Sequence, residues 1–150
     1  MTVAPIDKTL RVACSQAHAF ETFVDRISEW WPLERHSTLD DARTCVFEHG
    51  VGGRVFERSG AGEEATWGMV VVWEPPARVV FSWNPTGRPA ETEVEVRFVP
   101  DGDGTVVELE HRGWDRLADG LETRPEYDSG WDGVLARYAD VARGRDAAAI

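Results

Sequence analysis

Between residues 43 and 112 apolar side chains recur at a spacing of two. They do so in six stretches, parted by turns too short to bring a strand back parallel to its neighbour. The stretches are 44–49, 54–58, 65–73, 78–83, 92–99 and 105–112. The segments between them, at 50–53, 59–64, 74–76, 84–90 and 101–104, are rich in Gly, Pro, Asp and Asn. Consecutive strands joined this way must run antiparallel. A sheet of this kind has one face to bury, so the rest of the chain must supply a cover.

The flanking segments supply it. Residues 9–14 read as a first strand, and Ser15 as the N-cap of a helix on which Ala17, Phe20, Phe23, Val24 and Ile27 recur at helical spacing until about Glu29. Trp30, Trp31 and Pro32 then open a connection that runs through His36. At the other end, Thr123 and Glu126 have the spacing of a capping box, with Pro125 tolerated in the first turn. Tyr127, Trp131, Val134, Leu135, Tyr138 and Val141 trace one face of the helix that follows, and Gly144 is a natural stop. Gly130 and Gly133 each cost that helix about 1 kcal/mol relative to alanine. The order is strand, helix, six strands, helix. It implies an α+β fold in which a seven-stranded curved antiparallel sheet grips a long C-terminal helix. The expectation is one domain over 1–150, with its core at about 9–143 and a frayed tail at 145–150.

Alternation assigns faces in the later strands. Val79, Phe81 and Trp83 share one side, as do Val94, Val96 and Phe98, and Val107 and Leu109; two positions on, the same register turns His111 inward. In the 65–73 strand Trp67, Met69, Val71 and Trp73 form the expected inner set, although Val70 and Val72 are also apolar. The expected interior therefore holds Trp67, Met69, Phe81, Trp83, Phe98, His111, Trp131, Leu135 and Tyr138. With seven tryptophans in 150 residues, these aromatics either pack a solid core or surround a cavity for a small apolar molecule.

Charge narrows the partners. Twenty-seven acidic against 16 basic residues give a net charge of −11, which repels phosphate backbones and anionic lipid, so neither nucleic acid nor a membrane surface is an expected partner. Fifteen of the 16 basic residues are arginine, a coding bias that suggests a GC-rich, bacterial source. The N-terminus lacks a basic start followed by an apolar run, and no stretch approaches a membrane span, so a cytoplasmic location is expected. Cys14 and Cys45 are isolated and read as reduced, buried thiols.

Several segments resemble a known family. Gly52-Gly53-Arg54, Trp67-Gly68, and the run from Trp73-Glu74-Pro75-Pro76 to Phe81-Ser82-Trp83 resemble the central hairpin block of the START-like (SRPBCC, helix-grip) superfamily, nearest its activator-of-Hsp90-ATPase-homologue-like branch. Gly104-Thr105 through His111-Arg112-Gly113-Trp114 is similar to that branch's penultimate signature. Gly130-Trp131 resembles the start of its closing helix, and Trp30-Trp31-Pro32 a subgroup feature. The resemblance implies a hydrophobic cavity between sheet and C-terminal helix. It does not imply one activity, because members bind lipids, hormones or polyketides, cyclise or dehydrate them, or serve as domains of chaperone activators.

His111 is the candidate catalytic residue, since an inward histidine beside aromatics can orient a ligand oxygen or move a proton; alternatively it pins its strand to the next loop. His36 stands where such folds open their cavity, or is a surface histidine. No metal is expected, because no HExxH or Cys/His cluster at ligand spacing is present, and no cofactor is expected either. Three functions remain open: binding of a small hydrophobic or aromatic molecule; a cyclase- or hydratase-type enzyme using His111 with a Glu, an Asp or Tyr127; and a protein-interaction or co-chaperone-like module. Trp114 and Tyr127 are the residues that would serve a homodimer or partner patch if exposed.

Overall fold

The computed structural model describes residues 3–144; the tail at 145–150 lies outside the described residues. Seven strands, β1 (Ile6–Val12), β2 (Ala42–Phe47), β3 (Arg54–Ser59), β4 (Glu64–Glu74), β5 (Arg78–Trp83), β6 (Thr92–Asp101) and β7 (Gly104–Arg112), form one antiparallel sheet in the order β1-β7-β6-β5-β4-β3-β2. The sheet curls into a half-barrel around helix α3 (Gly120–Ala142). Helices α1 (Gln16–Val24) and α2 (Ile27–Trp30) carry the chain from the β1 edge to the β2 edge and close one end of the grip.

Local chemistry sets most boundaries. The Ser15 hydroxyl accepts from the His18 amide at 3.2 Å and starts α1. The first helical segment is two helices rather than one, with the break at residues 25–26. Its buried face carries Ala19, Phe20, Phe23, Val24 and Ile27, while Ala17 is exposed. The expected capping box of α3 does not form. The helix begins one turn earlier, and the Thr123 hydroxyl donates back to the Asp119 carbonyl at 2.9 Å. The first strand runs 6–12, pairing Ile6 with His111 and Val12 with Thr105, rather than 9–14.

Inner faces follow the alternation in β5, β6 and β7. Val79, Phe81, Trp83, Val94, Val96, Phe98, Val107, Leu109 and His111 are all buried. Strand β4 departs from it. The register slips between Val55 and Phe56 on the β3 side and between Val70 and Val72 on the β5 side, and each bulge reverses the side to which later residues point. Trp67 and Val70 consequently point in, and Met69 and Val71 point out, 47% and 44% exposed. The expected inward Met69 is corrected on this ground.

The end of the grip nearest α1 is solid. The Phe23 ring packs against Trp30, Phe47, Phe98 and Tyr138 at centroid distances of 5.0–6.4 Å. The Tyr138 hydroxyl donates to the Ala19 carbonyl at 2.7 Å. Phe98 and Tyr138 thus belong to packed core. Trp114 is fully buried and Tyr127 half-buried, so neither forms the exposed partner patch considered above. Of the two free thiols Cys45 is buried and Cys14 only half-buried.

Candidate functional site

At the opposite end, the packing between sheet and helix is incomplete. An open cavity of about 300 Å³ lies between them, bounded by the connection after α2 (Trp31, His36, Ser37, Thr38), by Trp67 and Trp83 of the sheet, by Pro85, and by α3 from Glu126 to Val134. Of the expected interior residues it takes in Trp67, Trp83 and Trp131. Phe81, Phe98, Leu135 and Tyr138 lie elsewhere in the core, Met69 is on the outer face, and His111 sits behind the wall.

Trp31, Trp67 and Trp83 pack with tilted rings, centroids 5.1–5.7 Å apart, and Trp31 meets Trp131 edge to face at 6.2 Å. All four indole N–H groups are committed within the protein. Trp31 donates to the His36 carbonyl at 2.8 Å, Trp67 to Glu57 at 2.9 Å, Trp83 to the Tyr127 hydroxyl at 3.2 Å, and Trp131 to His111 Nδ1 at 3.0 Å. A bound molecule therefore meets ring surface rather than indole donors. Polar capacity at the cavity comes from Tyr127, Glu126, His36, Ser37 and Thr38. Burial raises the Tyr127 hydroxyl above its usual pKa, against the Trp83 hydrogen bond, so it remains a phenol that can donate.

The cavity exists partly because of Gly130. A Cβ built on it would meet nothing nearer than the His36 ring, at 3.9 Å. Its helix-propensity cost thus coincides with the space facing His36.

His111 is fully buried and saturated. It accepts from Trp131 at Nδ1, and its Nε2 lies 2.7 Å from Thr92 Oγ1, which itself donates to the Trp83 carbonyl at 3.3 Å. Burial lowers its pKa to about 3, so the ring is neutral with its proton on Nε2. It braces α3 against β5, β6 and β7 and has no access to the cavity. Glu57, also fully buried, holds the loop: its Oε1 accepts from the Thr38 amide at 2.7 Å, the Thr38 hydroxyl at 2.9 Å and the Leu39 amide, while Oε2 holds Trp67. Among the described residues no group of three or more His, Cys, Asp or Glu side chains is placed to hold a metal ion, and no helix is long and apolar enough to cross a membrane.

The family model of Activator of Hsp90 ATPase homolog 1-like protein matches residues 13–142. The chain belongs to this family. No curated protein matches it. Among solved structures, the family member is similar to CalC from Micromonospora echinospora, described as a self-sacrificing resistance protein. The two are 31% identical with a TM-score of 0.72, over 96% of this chain and 97% of that one. It is also similar to Txn09, an anthrahydroquino-γ-pyrone synthase, at 32% identity and a TM-score of 0.62, over 93% of this chain and 97% of that one. The protein MLL2253 from Mesorhizobium loti shares the fold at 16% identity, with a TM-score of 0.69 over 91% and 94% of the two chains.

Proposed function

We propose that this family member binds a small hydrophobic or aromatic molecule in the cavity between the sheet and the C-terminal helix. The observation that carries the reading is the cavity itself: about 300 Å³, walled by four indoles whose N–H groups are already used, with a glycine where α3 faces the gap. Space of this size lies at the lower end of small-molecule sites and suits a compact ring system. Likeness to a resistance protein and to a synthase, each above 30% identity over nearly the whole chain, supports a small-molecule role.

Native mass spectrometry of the freshly purified protein, compared with its denatured mass, tests this. An excess mass lost on denaturation is expected. Gly130→Leu fills the space from a helical position and gains about 0.8 kcal/mol of helix propensity, so the variant should stay folded by circular dichroism yet lose that mass. Retention of the excess mass in Gly130→Leu would place the ligand elsewhere. A wild-type protein that carries no excess mass and binds no added aromatic compound would overturn the reading.

The synthase likeness favours a second reading, in which the same cavity performs chemistry on its ligand. His111 has no path to a reacting atom there. The proton donor would be Tyr127, with Glu126 or His36 as the base, and Tyr127→Phe should then abolish turnover while leaving ligand binding within a fewfold.

A further inference from the structure

The charge and the ring surfaces at the cavity point to one class of occupant. The lining residues include the carboxylate of Glu126 and neither lysine nor arginine. Glu126 has no ion-pair partner among the described residues. Arg88, whose charge reaches Tyr127, is engaged by Asp119. With the four indole N–H groups consumed, what the tryptophans and Tyr127 offer a ligand is ring carbon surface, and the electron-rich faces of such rings attract cations. The protein as a whole carries −11, which enriches cations and depletes anions near any opening in its surface. A carboxylated or phosphorylated ligand would meet no lysine or arginine in the cavity lining, and the nearby Arg88 is already paired, whereas an amine would find both a carboxylate and π surface.

We infer that, on the reading of the cavity given above, its ligand is a compact aromatic body carrying a protonated amine that is directed at Glu126. The rings fill the space among Trp31, Trp83 and Trp131, and the ammonium sits at the mouth, where α3 presents Glu126 one residue before Tyr127. The tyrosine hydroxyl, which accepts from Trp83, keeps its own proton for an oxygen on the same ligand.

Three probes of similar size test the charge preference on the full chain at neutral pH and about 0.15 M salt, where long-range attraction is largely screened. These are 9-aminoacridine, a cation; acridone, uncharged; and acridine-9-carboxylate, an anion. Affinity is read by calorimetry and by quenching of tryptophan fluorescence. The aminoacridine should bind one to one and roughly tenfold or more tighter than the carboxylate. Glu126→Gln should shrink that ratio about three- to fivefold, as expected for one partly screened charge, and leave acridone unchanged. Gly130→Leu should abolish binding of all three. A carboxylate that binds as tightly as the amine, or a ratio that Glu126→Gln does not move, overturns the inference while acridone binding keeps the cavity reading intact. Amine binding that survives Gly130→Leu belongs to the acidic surface and also overturns it. Failure of all three probes to bind overturns the inference, and together with the lack of an excess mass in the native spectrum it overturns the cavity reading as well.

Discussion

Glu57 is the residue whose position is hardest to replace. A carboxylate taken out of water is costly unless its lone pairs are filled, and here four donors fill them, three from the loop at 38–39 and one from Trp67. One side chain thereby fixes both a cavity wall and the loop that lines the mouth. Glu57→Leu leaves these donors buried without an acceptor and should cost about 3–5 kcal/mol in urea unfolding. Glu57→Gln keeps one carbonyl acceptor but turns an amide against a donor, and should cost about 1–3 kcal/mol. The signal for Glu57 was present in the sequence: it stands two residues after Val55, at an apolar position of the alternation. His111 was legible by the same register, but its two side-chain partners were not. Trp131 and Thr92 reach it from elements 20 and 19 residues away, and no local pattern encodes that meeting.

At the scale of the element, β4 decides the site. Gly68 lies so close to β5 that a Cβ on it would fall 1.7 Å from the Ser82 carbonyl oxygen. The bulge beside it turns Trp67 into the cavity and Met69 out. Gly68→Ala forces the two strands apart at that point and should cost about 3 kcal/mol or more. Near-ultraviolet circular dichroism should register the displaced Trp67, and a melting temperature equal to wild type would contradict the assignment. A strand read by strict alternation cannot reveal such a slip. A bulge depends on the partner strands, and β4 is apolar at both 70 and 72, so its own pattern does not choose a face.

For the whole molecule, the convex face of the sheet and the bracing histidine set the response to acid. Burial alone would raise the Glu95 carboxyl, but hydrogen bonds from Arg112, Arg78 and Arg97 outweigh it and hold the pKa at about 2. Since the folded value is below the ordinary 4.5, this stabilisation is complete above about pH 5 and is lost as pH falls toward 2. It amounts to roughly 3 kcal/mol. His111 works in the same direction over a higher window. Its folded pKa of about 3 against 6.5 unfolded means that stability declines as pH drops from about 6.5 toward 3. Urea midpoints measured from pH 7 to 3 should therefore fall monotonically. Glu95→Gln should lower stability at pH 7 and flatten the part of the curve below about pH 4.5. A midpoint that rises on acidification would exclude both assignments.

The chain's own pattern determined the order of elements, the antiparallel sheet, the long covering helix and the inward faces of β5, β6 and β7, because a period of two or of 3.6 is written along the chain and a short turn leaves no other pairing. It also placed Trp67, Trp83 and Trp131 inside. Only the tertiary structure decided which part of that interior is packed and which is open. Phe98 and Tyr138 meet α1 and fill their end of the grip. At the other end the aperiodic loop from Trp31 to Leu39 folds over Glu57, and Gly130 withholds a side chain. Whether inward aromatics touch one another or line a space depends on the distance between a sheet and a helix, which no spacing within either element records.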